Sequence, residues 1–371
     1  MKKVCHITTV HPLLDTRIFY KECKTLVGAG YDTILIVQHN KSEIVERIKI
    51  IPLPKPKNRL ERIFSLSKKA YKLALDQKAD IYHFHDPELL PWMVKLKKKI
   101  GAKIIYDVHE DYPKQILYKH WIPKILRNII ARSFNFYEKR AINNFDFITT
   151  VGEDVRERLG RVNPSIDTVK NFPLLEKFNI KRKRKRKDNN PFNLIYIGVL
   201  TEVRGITQIV QAMEYLPNNI KLLLLGTFSP ENYEKTIRNL VGFKKTKYYG
   251  QVPFKEILEY LLKAKIGIIC FLPEPNHINS CPNKLFEYMA AGLPVVASNF
   301  PSWREIVEIN KCGICVNPLE PKEIARAVKY LIEYPEEAEK MSKNGRRAVL
   351  EKYNWGNESK KLLKIYEELA K

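Results

Sequence analysis

Short runs of aliphatic and β-branched residues alternate with amphipathic segments along almost the entire chain. These runs occupy residues 4–10, 33–37, 81–85, 103–108 and 147–151 in the first half, and 193–198, 221–225, 247–250, 267–271, 294–297 and 314–316 in the second. Strands that alternate with helices in this way form parallel sheets whose helices cover both faces. We therefore predict an α/β fold with two doubly wound domains, in agreement with a length of 371 residues.

The two halves meet at a run of lysine and arginine that has no apolar side chain to bury. Residues 181–190 read KRKRKRKDNN, and because like charges repel one another we predict a solvated linker there. The first domain then covers residues 1–180 and the second covers residues 191–355. We expect the last helix, residues 356–371, to pack back on the first domain.

The net charge of the chain is +24, and most of it lies in the first half. Residues 1–190 carry 40 basic and 21 acidic side chains, whereas residues 191–371 carry 25 and 20. This imbalance indicates an anionic partner: nucleic acid, anionic lipid or a phosphorylated substrate. The basic run at 181–187 resembles a nucleic-acid patch, but no aromatic residue is interleaved with it for base stacking. We therefore predict no nucleic-acid partner.

The composition predicts neither a membrane span nor secretion. No apolar run approaches the roughly 18 residues that cross a bilayer, and the first residues lead into a strand rather than a signal peptide. Six cysteines scattered over this length do not make a disulfide framework. We expect a cytoplasmic protein.

Residues 280–298 have the pattern of an anion-binding helix start. Lys284 lies in the first turn, where free N–H groups and the helix dipole favour an anion. Glu287 follows one turn later on the same face, where its carboxylate could accept hydrogen bonds from the vicinal hydroxyls of a ribose. The alternative is an amphipathic helix with two solvated charges.

A second candidate is the loop that follows residues 193–198. Gly198 lets a ligand approach the backbone, and Arg204, next to Gly205, could bind a diphosphate with two parallel hydrogen bonds. An ordinary connection between a strand and a helix would have the same composition, so this alternative stays open.

Together these segments resemble the retaining glycosyltransferases of family 4. Residues 283–298 are similar to the nucleotide-sugar signature of that family, and the loop from Gly198 to Gly205 is similar to its diphosphate loop. The similarity extends over residues 4–38, 81–112, 147–173, 193–302 and the final helix. It implies the GT-B fold, in which two Rossmann-like domains face each other across a cleft, and a nucleotide-sugar donor held mostly by the second domain.

The resemblance also implies roles for single residues. Glu287 would hold the ribose, and Arg204 and Lys284 would hold the diphosphate. The turn that ends at Val252 would meet the base. The full implied donor set is Gly198, Arg204, Gly205, Val252, Asn283, Lys284, Leu285 and Glu287.

The sequence departs from the family pattern at three places. Asn279 stands where the family usually has an earlier glutamate, so the identity of the sugar does not follow. Val199 replaces an arginine of the diphosphate loop, which leaves more of the phosphate charge to Arg204 and Lys284. The usual glycine pair after the first strand is absent. Arg17, in that segment, either supplies a cation to the cleft or forms a salt bridge at a helix start.

Two polar clusters, HFHDPE and YDVHED, follow strands of the first half and should meet at one edge of the sheet. The resemblance places His109 opposite the donor sugar, with His85 and Glu110 as further cleft or acceptor-side candidates. The alternative is a histidine held in place by Asp107 or Glu110. The spacing of His83 and His85 could ligate a metal, but no third ligand is evident in the sequence.

The expected chemistry needs few acids and bases. A retaining transfer builds negative charge on the departing diphosphate, which cations and helix N–H groups stabilise. The resemblance implies that the leaving phosphate takes the acceptor proton, so a hydrolase-type carboxylate pair is not required. Oxygen ligands nowhere cluster with the spacing of a hard-ion site. We expect no metal and no cofactor, with His109 and Glu287 as the catalytic residues.

Residues 116–140 interleave aromatic, aliphatic and basic side chains. A helical spacing relates the apolar residues Ile125, Leu126, Ile129, Ile130 and Phe134. A basic amphipathic helix of this kind is typical of a membrane surface, and with residues 59–75 it could form an acceptor face. The alternative is a helix that packs its apolar stripe on the sheet.

These observations predict a retaining, metal-independent glycosyltransferase that acts in cell-surface glycan synthesis. It would move a sugar from a nucleoside diphosphate, with UDP favoured, to a hydroxyl of a lipid-linked or polysaccharide acceptor, with an anionic membrane surface as a further partner. Two other classes stay open: a sugar-nucleotide epimerase of the same fold, and a non-catalytic basic protein that binds membrane or nucleic acid. No G-x-G-x-x-G follows the first strand, which disfavours an NAD oxidoreductase.

Overall fold

The computed structural model describes residues 1–119, 122–178, 192–253, 256–278 and 281–371. The chain divides into two compact units, one formed by Met1–Asn171 with Trp355–Lys371 and the other by Phe172–Asn354. The C-terminal helix (Trp355–Leu369) thus belongs to the first unit. Residues 172–178, which the sequence analysis assigned to the first domain, belong to the second unit. The linker predicted at 181–190 lies outside the described residues.

An eight-stranded sheet forms the centre of the first unit. In chain order its strands are β1 (Lys3–Pro12), β2 (Asp32–Gln38), β3 (Glu43–Val45), β4 (Ile48–Leu53), β5 (Ile81–Phe84), β6 (Lys103–Val108), β7 (Phe147–Thr150) and β8 (Ile166–Thr168). They are arranged as β3-β4-β2-β1-β5-β6-β7-β8, and every neighbouring pair except β3–β4 is parallel. The antiparallel β3–β4 hairpin turns at Glu46 and Arg47, both with positive φ as a two-residue hairpin turn requires.

Helices cover both faces of this sheet. They are α1 (Lys24–Gly28), α2 (Arg59–Glu61), α3 (Ser67–Gln77), α4 (Leu90–Ile100), α5 (Tyr112–Tyr118), α6 (Lys124–Ile142), α7 (Glu153–Gly160) and the C-terminal helix, with π-helical segments at Ile18–Cys23 and Arg62–Leu66. Alternate residues of β1 and β2 point to opposite faces, so the apolar core forms two separate clusters. One contains Cys5 and Ile36, and the other contains Leu35 with Phe19.

The second unit contains a six-stranded sheet in which all strands are parallel. Its strands are β9 (Phe192–Ile197), β10 (Ile220–Leu225), β11 (Thr246–Gly250), β12 (Ile266–Ile269), β13 (Val295–Ser298) and β14 (Gly313–Val316), in the order β11-β10-β9-β12-β13-β14. Its helices are α8 (Ile206–Ala212), α9 (Tyr233–Arg238), α10 (Ile257–Lys263), α11 (Pro275–Ile278), α12 (Asn283–Ala290), α13 (Pro301–Ile309), α14 (Pro321–Glu333) and α15 (Pro335–Glu351). The central strands are fully buried, as expected for a sheet covered on both faces.

In both sheets the segments that leave the carboxyl ends of the parallel strands lie along one edge, where ligands bind in doubly wound folds. Among the described residues, none of the helices combines the length and the apolar character needed to cross a bilayer.

Candidate functional site

Gly198 follows β9 and lies directly below two basic side chains. Its φ is +129°, and a Cβ at this position would come within 2.7 Å of Lys284 Nζ and 3.5 Å of Arg204 Nη1. The backbone conformation favours glycine, and a side chain here would also displace the flexible end of Lys284. Because Gly198 has no side chain, both cations share one place at the edge of the sheet.

The loop from β9 to α8 holds Arg204 in position. Gly205 has a φ of +70°, and a Cβ on it would overlap the carbonyl oxygen of Cys270, so the loop lies against the end of β12. The Arg204 guanidinium stacks at 5.6 Å from the ring centroid of Phe271 and donates a hydrogen bond to the Val199 carbonyl oxygen at 3.4 Å. Within the described part of the chain, Arg204 forms no ion pair with a carboxylate.

Lys284 is the second residue of α12, which begins after Pro282. Burial and the neighbouring charge of Arg204 lower the pKa of Lys284 to about 8, although Glu287 acts in the opposite direction. No hydrogen-bond acceptor holds the ammonium group among the described residues. Within the described residues, these two cations lie together beside the start of α12 without a carboxylate ion pair, an arrangement that can bind an anion with more than one charge.

The other residues of the predicted donor set lie in α12 or two residues after the end of β11. Glu287 lies one turn after Lys284, is half-buried, and makes no side-chain hydrogen bond or ion pair within the residues that the structure describes. Asn283 is the first residue of α12, and Val252 lies partly exposed against the core. Leu285 differs from the prediction. Its side chain is fully buried and its N–H already donates to the Pro282 carbonyl oxygen, so it offers no group to a ligand.

In the first unit, Asp107 of β6 is the centre of a buried ion-pair network. Arg17 donates to both of its carboxylate oxygens, at 2.9 and 2.8 Å, and to the Val169 carbonyl oxygen at 2.8 Å. Only 3% of the Arg17 residue surface is exposed. The guanidinium is thus held in a buried salt bridge and is not free to act as a cleft cation, which decides between the two roles left open above.

His109 lies next to this network, and its Nε2 is 2.8 Å from Asp107 Oδ2 and 3.2 Å from His85 Nδ1. Its side chain is 15% exposed. Asp107 therefore fixes the orientation of the ring, while one edge of the imidazole stays accessible to a ligand. The alternative interpretation, in which Asp107 only holds His109 in place, requires this contact. A catalytic role for His109 is also compatible with it.

The remaining first-half candidates differ in accessibility. His85 is fully buried, so it can influence a ligand only through its neighbours and not as an acceptor-side contact. Glu110 is exposed and accepts a hydrogen bond from the Gln115 amide. Asn279 lies outside the described residues.

The sequence analysis gave no individual role to two polar residues at the same edge of the first sheet. His11, near the end of β1, lies 3.4 Å from Asp15 and 3.8 Å from Asp86, and its ring is 4.9 Å from that of His109. Burial alone would lower the pKa of His11, but these carboxylates raise it. Asp86 is buried and accepts hydrogen bonds from the Thr9 backbone N–H and the Thr8 hydroxyl. The polar sequence TTVH at the end of a predicted strand was the available signal.

The sequence analysis also did not identify the partners of His83 and His85. His6, on the neighbouring strand β1, and Glu22, in the π-helical segment, join His83 and His85, and the ligand atoms of all four lie within 4.8 Å of one another. The fold therefore supplies further candidate metal ligands for His83 and His85 that are not evident in the sequence. Burial lowers the pKa of His6 and His83, and it lowers that of His85 to about 3, so these rings are neutral.

Comparison with known proteins identifies the class. Residues 177–348 match the family model described as glycosyl transferases group 1, and residues 16–172 match the model described as glycosyltransferase family 4. An uncharacterized glycosyltransferase of Methanocaldococcus jannaschii is 24% identical, over 92% of this chain and 88% of its own length. The chain is therefore a glycosyltransferase of the group 1 type.

Solved structures agree on the fold. Sucrose-phosphate synthase from Thermosynechococcus elongatus superposes with a TM-score of 0.80 at 18% identity, covering 100% of this chain and 99% of that chain. Anabaena HepE in complex with UDP and glucose superposes with a TM-score of 0.74 at 13% identity, covering 99% and 100%. The predicted fold class, two Rossmann-like α/β domains of the GT-B type, is confirmed.

Proposed function

We propose that this glycosyltransferase takes its sugar from a nucleoside diphosphate bound by the second unit, with UDP as the favoured carrier. The observation that carries the proposal is the pair of cations above Gly198. Arg204 and Lys284 converge there without a carboxylate ion pair among the described residues. A diphosphate would supply the missing charge, and Glu287, one turn along α12, would accept hydrogen bonds from ribose hydroxyls. The UDP bound by the Anabaena relative supports the choice of base.

The same residues suit a transfer with retention of configuration and without a metal ion at the diphosphate. Negative charge develops on the phosphate as the glycosidic bond breaks, and two preorganised cations at a helix start stabilise it. The leaving phosphate would accept the proton of the incoming hydroxyl, and His109 would be a catalytic residue. Activity that depends on added Mg²⁺ or Mn²⁺ would refute the metal-free step, and inversion at the anomeric carbon would refute retention.

Nucleotide binding is tested by a thermal-shift panel of UDP, GDP, ADP, CMP and NAD. At 100 times its dissociation constant the correct nucleotide should stabilise the protein by about 2.7 kcal/mol. The Glu287→Ala variant should lose most of this shift. Glu259→Ala, which removes an exposed glutamate of α10, should keep it. No shift with any nucleoside diphosphate, or an unchanged shift in Glu287→Ala, would contradict the proposal.

Product analysis with and without an acceptor separates transfer from epimerisation. A transferase forms a new glycosidic bond. It releases nucleoside diphosphate at a useful rate only when an acceptor hydroxyl is present. An epimerase converts the sugar of the nucleotide without any acceptor, and that result would favour the epimerase that the sequence left open.

We further propose a lipid-linked acceptor and peripheral attachment of the first unit to an anionic membrane. Helix α6 packs only part of its apolar surface: Phe134 contacts the core, whereas Ile125, Ile129 and Phe136 are 87%, 60% and 71% exposed. The three exposed residues repeat at helical spacing on one face, and basic residues of the same helix flank them. Leu60 is also exposed, and the excess of basic residues in the first half complements anionic lipid.

Sedimentation with anionic liposomes at low salt tests the attachment. The protein should sediment with vesicles that contain phosphatidylglycerol and remain in solution with purely zwitterionic vesicles. Ile125→Asp with Ile129→Asp should abolish sedimentation, whereas Ile44→Asp, at an exposed position of β3, should leave it unchanged. If neither the parent protein nor the Ile44→Asp control sediments with the anionic vesicles, this part of the proposal is contradicted.

A further inference from the structure

A buried cluster of histidines in the first unit has no part in the proposed donor site. It contains His6 of β1 and His83 of β5, which are register partners, together with His85, Glu22 and Tyr366 of the C-terminal helix. All five residues are completely or almost completely buried. Buried polar groups are stable only when each has a partner, so the proton positions of this cluster can be followed atom by atom.

Three atoms of the cluster form a triangle of the size that a metal ion requires. His6 Nδ1 lies 3.1 Å from His85 Nε2, and Glu22 Oε2 lies 3.9 Å from the first nitrogen and 3.8 Å from the second. A point in the plane of these atoms is about 2.1 Å from all three, which is within about 0.1 Å of the usual Zn–N and Zn–O bond lengths.

The proton on His85 is assigned by Asp107. As a carboxylate already bound by Arg17, Asp107 can only accept hydrogen bonds, and its Oδ2 lies 3.2 Å from His85 Nδ1. His109 Nε2 also lies 3.2 Å from His85 Nδ1, but it is closer to Asp107 Oδ2, at 2.8 Å, and donates there. His85 therefore carries its proton on Nδ1 and donates to the same carboxylate. The lone pair of its Nε2 then points to His6.

The position of the proton on His6 follows from the hydrogen bonds that start at the other oxygen of Asp107. The Thr149 hydroxyl donates to Asp107 Oδ1 at 2.8 Å, so it can only accept from His83 Nε2, at 3.5 Å. His83 Nδ1 then accepts the Tyr366 hydroxyl proton at 2.7 Å, and the Tyr366 oxygen accepts from His6 Nε2 at 3.2 Å. The lone pair of His6 Nδ1 consequently points to His85.

Two unshared pairs thus face each other beside the buried carboxyl group of Glu22, whose pKa is raised by burial and by the charge of Asp107. Neither oxygen of Glu22 has a hydrogen-bond donor within the described residues, although Oε1 lies in an ion pair with Arg17 Nε at 3.0 Å. Such a set of three lone pairs is stable when a cation lies between them. The second nitrogen of each histidine donates to an oxygen, Asp107 for His85 and Tyr366 for His6, which is the outer shell that metal-binding histidines have in proteins.

We propose that the first unit binds one Zn²⁺ through His6 Nδ1, His85 Nε2 and Glu22 Oε2. Two imidazoles and one carboxylate are a ligand set that suits Zn²⁺ among the divalent cations. The ion would join β1, the π-helical segment and the end of β5, and through Tyr366 it would include the C-terminal helix. It is a site for the stability of the first unit and is separate from the diphosphate site of the second.

Metal analysis of the purified full-length protein tests the site. Protein produced with zinc in the medium and passed through gel filtration should contain about one Zn²⁺ per chain, since a buried ion bound by its fold is not lost on dilution. Glu22→Gln and His6→Asn should reduce the content at least tenfold. His39→Asn, which removes a partly exposed histidine of the same unit, should leave it unchanged. Folded parent protein without zinc, or full zinc content in Glu22→Gln, would overturn the proposal.

A second measurement uses only the parent chain and does not depend on the folding of a variant. Cobalt substituted for zinc should give the visible absorption of a low-coordinate ion with nitrogen and oxygen ligands and no thiolate-to-cobalt charge-transfer band, because the proposed ligands include no cysteine. A thiolate band would place the metal on cysteines and overturn the assignment. Nucleotide-induced thermal shifts are expected with or without the ion, so either result leaves the test of the donor site unaffected.

Discussion

At the scale of the residue, two buried cations of this protein differ in how their charge is compensated. Arg17 contacts Asp107 through two hydrogen bonds and Glu22 through an ion pair, so the fold itself neutralises it. Lys284 has Arg204 as its main charged neighbour, and its pKa falls to about 8. An uncompensated cation of this kind is a feature of binding sites rather than of structural ion pairs.

The lowered pKa of Lys284 predicts how donor binding depends on pH. A lysine of lowered pKa keeps its charge below about pH 8 and loses it as the pH rises further. Because the diphosphate binds the charged form, the affinity for UDP should fall by up to about tenfold between pH 7 and pH 9, following the fraction of charged lysine.

Calorimetric titration of UDP across this range measures the effect. Lys284→Arg, whose charge does not titrate, should flatten the profile. Lys265→Arg, a change at a lysine outside the predicted donor set, should preserve the pH dependence. An affinity for UDP that is constant from pH 7 to pH 9 in the parent protein would show that Lys284 does not bind the phosphate.

At the scale of the element, the loop between β9 and α8 depends on two glycines with different tasks. Gly198 makes space for side chains, whereas Gly205 makes space for the backbone of the neighbouring strand end. The sequence predicted β9, α8 and both glycines, because a strand, a glycine turn and a helix have a strong local pattern. It could not predict that Cys270 lies against Gly205, since this contact depends on the pairing of β9 with β12.

The contact of Gly205 predicts a large loss of stability in Gly205→Ala. Gly101→Ala is the matched control, because its φ of +67° is close to the +70° of Gly205 but nothing lies within 4 Å of its Cβ position. Gly101→Ala should cost about 1–2 kcal/mol for the left-handed backbone alone. Gly205→Ala should cost clearly more and should also weaken UDP binding, because the loop that carries Arg204 must shift. Urea unfolding of both variants measures the difference, and equal costs would contradict the contact.

Strand prediction missed β3, β4 and β8. Both β3 and β8 have only three residues, and β3 is an edge strand. β4 has six residues, IKIIPL, of which four are buried, so its apolar pattern was present in the sequence and was not recognised. The burial of His85 and the pairing of Arg17 with Asp107 were beyond the sequence, because they follow from which strands are neighbours. The helix start of α12 was predicted because one continuous segment carries its pattern.

At the scale of the whole molecule, the C-terminal helix completes the first unit. The C-terminal helix brings Tyr366 to His83, and Trp355 donates a hydrogen bond to the Thr25 hydroxyl at 2.9 Å. Glu358 accepts a hydrogen bond from the Lys170 backbone N–H. These contacts join residues that are far apart in sequence, so sequence patterns predicted the return of the helix only through the family resemblance and could not predict the individual partners.

Removal of this helix should therefore unfold the first unit and spare the second. A chain that ends at Asn354 loses the buried side chains of Trp355, Leu362 and Tyr366, each of which contributes on the order of 2–3 kcal/mol of apolar burial. Hydrogen exchange should then be fast in β1 and β5 and remain slow in β9 and β12, and UDP should still stabilise the second unit. A chain that ends at Leu369 keeps the whole helix and should exchange like the parent. Continued protection of β1 and β5 in the shorter chain would show that the first sheet is stable without its C-terminal helix.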